Sequence, residues 1–214
     1  MQRRPADAAA RSACKSLMKD HFTTLGIERR FILENAALER RFHQLQRTSH
    51  PDRFAGAEGN VLGDAIDRSS DINMAYRTLR NPLERTKHLL FLYGYSVESS
   101  KQVPMELLEV VMNVQEKLAE LDFADELKKE QILEEIGPLK ASLESRREGV
   151  DAQNNSLQTK WDGSEHSPNA NELGAEEKQL LGSITKNLAE RAYISTLLGT
   201  LEAAQKGESL VLKH

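Results

Sequence analysis

The sequence predicts an all-α protein of two helical domains, on three observations. Apolar residues recur every three or four positions along most of the chain; Pro, Gly or Asn punctuates the runs; and from Pro104 the spacing tightens into heptads. The change of pattern divides the chain. An N-terminal helical hairpin with short accessory helices is expected over 19–94, followed by a linker at 95–103. A three-helix domain is expected over 104–206, with a loop near 162–172, and residues 1–18 and 207–214 are read as a disordered leader and a tail. At 214 residues, 39% apolar and 29% charged, both halves can form a core.

Each element has a local reason. Asp20 can cap a short first helix that buries Phe22 and Leu25 and ends at Gly26. The link ERRFILEN carries apolar Phe31 and Leu33 to a helix beginning near Asn35. After a Gly/Ala loop from Phe54 to Asn60, a helix over Val61 to Arg80 places Ile72, Ala75, Tyr76 and Leu79 on one face, with Leu62 and Ile66 earlier on the same stripe. Asn81-Pro82 starts another helix, Asn as cap and Pro at the first position, and Gly94 stops it.

The stretch from Glu39 to Arg53, ERRFHQLQRTSHPDR, has the most distinctive chemistry. As a helix it puts Leu38, Phe42 and Leu45 on a packing stripe and turns Arg40, His43, Gln44 and Arg47 the other way. Pro51 has no N–H and drives His50 out of the α region, so His50 and Asp52 should sit on a loop tip beside a positive stripe. Residues 1–53 hold 11 Lys/Arg against 6 Asp/Glu, leaving 18 against 27 for the remainder. The N-terminal part should therefore steer towards an acidic surface.

Beyond Pro104, Leu107, Val111, Val114, Leu118 and Leu121 form a heptad seam. Ile132, Ile136, Leu139, Leu143, Val150, Leu157 and Trp161 predict a long second helix despite Pro138, which should kink or break it. Residues 162–174 form a polar loop, and Leu180, Ile184, Ile194, Leu198 and Leu201 mark a final helix over about 175–206. The first helix of this domain has apolar residues beyond its seam: Leu108 and Met112 stand beside it, continued by Glu116 and Glu120. They either widen the core stripe or form a surface that is greasy at one end and acidic at the other.

The segments DHFTTLGI, RFHQLQRTSHPDRF and INMAYRTLRNPLERTKHLL resemble a J-domain, and more narrowly the HscB family of co-chaperones dedicated to iron–sulfur cluster assembly. The resemblance covers residues 20 to about 123 well and the rest in outline. It implies an N-terminal J-domain and a C-terminal bundle, with two partners. An HscA/DnaK-type chaperone would be docked by Arg40, Arg41, His43 and Arg47, its ATPase triggered by His50, Pro51 and Asp52. An IscU-type scaffold would be held by Leu107, Leu108, Met112, Glu116, Glu120 and Tyr193. Ser49 departs from the family, which usually has an aromatic there, and looser packing is expected at that point. Asn113 and Gln115 depart from its usual charged residues, and Glu109 stands where it often has an apolar one.

Composition narrows the alternatives. Cys14 is the single cysteine, so there is neither a disulfide framework nor a Cys-x-x-Cys metal knuckle. No apolar run approaches the roughly 20 residues that cross a bilayer, and MQRRPADAAARSACKS lacks the apolar core of a secretory signal. No nucleophile, phosphate loop or metal cluster points to an enzyme, and the six histidines are scattered. Pro51 and the acidic remainder oppose a nucleic-acid binder built on the basic helix. The expectation is a monomeric co-chaperone without cofactor, nucleic acid or membrane, in the bacterial cytoplasm ahead of a mitochondrial matrix. A J-protein adaptor for another client is the alternative.

Overall fold

The computed structural model describes residues 19–50, 52, 60–97 and 105–206. The expected leader and tail, Pro51 and most of the Gly/Ala loop and linker lie outside the described residues. Seven α-helices and no strand are present among the described residues, which is the all-α architecture expected: α1 His21–Leu25, α2 Asn35–Ser49, α3 Val61–Arg80, α4 Pro82–Leu92, α5 Leu108–Phe123, α6 Glu126–Asp162 and α7 Ala175–Gln205. Two compact units emerge. One holds the described residues up to Tyr95 together with Thr159–Glu177; the other holds Ser96–Gln158 and the chain from Lys178.

In the first unit the local signals act as expected. Asp20 caps α1 by accepting the N–H groups of Phe22 and Thr23, and Gly26 closes it in the left-handed conformation at φ 63°. Asn81 caps α4 the same way, ahead of Pro82. Helices α2 and α3 form an antiparallel hairpin in which Phe42 stacks on Tyr76 at 4.1 Å and Gln46 donates to Asn73 at 2.7 Å. Leu38, Ile72, Ala75 and Leu79 are buried between the helices of this unit. Leu62 and Ile66 do not join them: both are exposed, and Ala65 takes the inward position on that turn.

The core of this unit is completed from far along the chain. Trp161, expected in the C-terminal bundle, packs instead edge-on to Phe31 and Tyr93, at 6.0 and 5.2 Å, and stacks on His166 at 3.7 Å. Asp162 accepts the consecutive N–H groups of Phe31 and Ile32 at 2.9 and 2.7 Å. Buried Arg85 donates to the carbonyls of Phe31 and Leu79. The structure thus groups 159–177 with the N-terminal helices, where the sequence pattern put it in the C-terminal domain. Helical spacing reports which face of α6 is apolar but not which core receives its last turn.

The second unit is a three-helix bundle. Leu107, Val111, Val114 and Leu118 from α5 and the residue before it meet Ile132, Ile136, Leu143 and Val150 of α6 and Ile194, Leu198 and Leu201 of α7. Burying each such side chain is worth about 1.5–3 kcal/mol. Ion pairs Lys140–Glu202, Arg146–Glu190 and Asp151–Arg191 link the antiparallel helices α6 and α7. Helix α6 runs continuously through Pro138, which is exposed.

Two interactions of the first unit carry measurable consequences. Arg41 donates from Nε to the carbonyl of Leu25 at 2.7 Å, closing the end of α1, and from Nη1 to Gln44. Arg41→Ala should cost about 1–2 kcal/mol in a urea melt, with Arg41→Lys only partly restoring it, because a charged fork to a carbonyl has directional geometry. His88 is buried against His21 at 4.3 Å, and its Nε2 accepts the His21 N–H at 3.1 Å. Burial, reinforced by His21, pushes the His88 pKa from 6.5 down to about 4. The unfolded chain therefore takes up this proton first. Stability should fall as pH drops from about 6.5 towards 4, by up to about 1.4 kcal/mol per pH unit for the one proton, and His88→Gln should make that fall shallower.

Candidate functional site

Helix α2 delivers the His-Pro-Asp segment. Its last residue, Ser49, is buried, and His50 follows in an extended conformation at φ −65° and ψ 128°, as a residue preceding proline must be. The tip is open to solvent: 55% of the His50 side chain and 89% of the Asp52 side chain are accessible. The Asp52 N–H donates to His50 Nδ1 at 3.3 Å, and the Asp52 carboxylate lies 3.5 Å from the same nitrogen. Pro51 itself lies outside the described residues. The two flanking side chains thus form one small polar group on the surface.

The basic side chains beside the tip divide by role. Arg40 and His43 are exposed, each only 3.9 Å from a glutamate, Glu34 and Glu39 respectively, and Arg47 is exposed as well. Arg41, expected with them, is half-buried and engaged with Leu25 and Gln44, so its guanidinium is committed to the fold. A helix face presenting cations without deep desolvation costs little and attracts an acidic partner at long range.

The second candidate surface lies on α5. Leu108 is 49% exposed and Met112 63%, so neither widens the core stripe. Leu107, read from its spacing as part of the seam and placed by the resemblance among the scaffold-binding residues, is fully buried in the seam. Glu116 is exposed, while Glu120 shares Lys117 with Glu135, at 3.3 and 2.6 Å. Tyr193, expected to join a surface patch, is half-buried and packs against the bundle core. Met105 and Phe123 are exposed apolar residues at the two ends of this helix that the heptad reading passed over. The available signal was their spacing from Leu108 and Met112, once the seam was assigned.

Among the described residues, no group of three or more His, Cys, Asp or Glu is gathered to hold a metal ion, and no helix is long and apolar enough to cross a membrane. What the two surfaces offer is recognition: a charged tip on one unit and an apolar, acid-flanked helix face on the other.

No protein-family model matches the chain. It is 42% identical over 83 residues to the co-chaperone protein HscB of Proteus mirabilis, a match covering 39% of this chain and 48%, about half, of that relative's length. In fold it resembles the chaperone HscB from Vibrio cholerae, with a TM-score of 0.52 and 23% identity over 88% of this chain and 99% of the other. The crystal structure of the human co-chaperone protein HscB gives a TM-score of 0.54 at 23% identity, covering 87% of this chain and 82% of that one. The resemblance read from the motifs is thus found again over the 83 residues aligned with an HscB relative, and the all-α fold is similar to that of the two HscB structures.

Proposed function

We propose that this chain is a co-chaperone of iron–sulfur cluster assembly, without catalytic chemistry of its own, acting in the bacterial cytoplasm. Its C-terminal bundle holds an IscU-type scaffold, and its J-domain engages an HscA/DnaK-type chaperone and stimulates that chaperone's ATPase. The observation that carries this reading is the solvent-exposed His50/Asp52 tip at the end of a helix whose outer face is basic. Arg40, His43 and Arg47 steer the module to an acidic surface, chiefly raising the rate of encounter. The tip then supplies the short-range contacts that bias the chaperone towards hydrolysis. The HscB relative and the HscB fold support the same assignment.

The scaffold side rests on Leu108 and Met112. Two exposed apolar side chains one helical turn apart are natural anchors, and the glutamates that follow set orientation. Leu107 lies in the seam beside this face and Tyr193 packs against the bundle core, neither needing to touch the partner.

Two measurements test the proposal. In an ATPase assay of the candidate chaperone, wild-type protein and scaffold added together should stimulate more than their separate effects combined. Asp52→Asn should leave turnover at the chaperone's basal rate with an unchanged circular dichroism spectrum; stimulation at the wild-type level would refute the trigger assignment. In a pull-down, a Leu108→Ser/Met112→Ser variant should lose the scaffold while still stimulating the chaperone. Retention at the wild-type level would point to a different client for the bundle.

A further inference from the structure

The exposed apolar residues of α5 continue past Met112. Stepping about 100° per residue, Leu108, Met112, Ala119 and Phe123 fall on one stripe, about 120° around the helix from the seam of Val111, Val114 and Leu118. Ala119 is exposed, and Phe123 is 92% exposed, the most open large apolar side chain on the helix. An exposed phenylalanine forfeits the burial that would normally hold it inside, and a second apolar stripe facing away from the core marks a surface awaiting a partner. At 1.5 Å of rise per residue, Phe123 stands about 16 Å along the helix from Met112, a distance that one ordinary protein interface spans.

Charge narrows the occupant. Glu116 borders the stripe, Glu120 lies just beyond it, and Lys117 is engaged by Glu120 and Glu135. Three residues past Phe123 comes Glu126, paired with Lys129 at 3.1 Å, and both line with exposed Leu127, Leu133, Glu130 and Glu134 an open depression on α6. The surface is apolar at each end, and between and beyond them the carboxylates of Glu116, Glu120, Glu126, Glu130 and Glu134 outnumber the ion-paired Lys117 and Lys129. It fits a partner with two apolar contact points separated by basic residues.

We infer that Phe123 is a second anchor for the same scaffold partner, so that the binding face runs the whole length of α5 and not only its first turns. This rests on the assignment of Leu108 and Met112 to the scaffold. A partner seated at both ends is held in one orientation along the helix, which a single pair of anchors cannot enforce.

The test is isothermal titration of full-length protein with a purified cluster-free IscU-type scaffold. Phe123→Ser should weaken binding about tenfold or more, Phe123→Leu should recover most of it, and the melting temperature should not fall, since the side chain packs on nothing in the bundle. If Phe123→Ser binds as wild type while Leu108→Ser/Met112→Ser loses the scaffold, the second anchor is wrong and the scaffold assignment stands. If both variants bind as wild type, the scaffold assignment fails and the second anchor with it. Loss at Phe123 with full binding by the double variant overturns the continuous face.

Discussion

The N-terminal unit depends on an insertion: the indole of Trp161, buried among Phe31, Tyr93 and His166, with the carboxylate of Asp162 beside it. The link before α2 has no regular structure to satisfy its own backbone, and an unpaired buried N–H is costly. Asp162 takes two consecutive N–H groups from that link and Arg85 takes a carbonyl, so the segment is held from both sides. Burial pushes the Asp162 carboxyl up, against the pull of those N–H groups and of Arg30 and Arg85. The start of the basic helix is thereby set by residues about 130 positions away.

From that start, the rest of the helix follows its own sequence. One stripe packs on α3, and the opposite one keeps its cations in water, where they retain long-range reach and incur little desolvation penalty. The helix ends where a proline forces it to, with a histidine and an aspartate exposed together. The bundle follows the complementary logic. Its α5 packs through one heptad seam and leaves a second apolar stripe uncovered, bordered by the exposed carboxylate of Glu116.

Residues of one type take different duties according to what lies behind them. Arg40 and Arg41 are neighbours in sequence, yet the first is exposed and the second reaches back to the carbonyl of Leu25. The missing side chain of Gly26 makes room for it: a Cβ there would meet Arg41 Nη2 at 2.7 Å. Leu107 and Leu108 divide the same way, one in the seam and one on the surface. A hundred-degree step per residue suffices to separate core from exposed surface.

By itself the sequence determined the helices and their ends, because caps, prolines and apolar period act within a few residues: Asp20 and Gly26, Asn81 and Pro82, and the seam from Leu107 to Leu118 were all legible. It likewise determined the exposed character of the His50/Asp52 tip, since a proline after a polar helix terminus leaves little choice. Only the tertiary structure decided which core receives Trp161, that Ala65 and not Ile66 turns inward, that Arg41 is tied down, and that Tyr193 is half-buried. Those outcomes depend on contacts between segments far apart in the chain. Periodicity defines a face, but the neighbour that meets it is chosen by the packing of the whole.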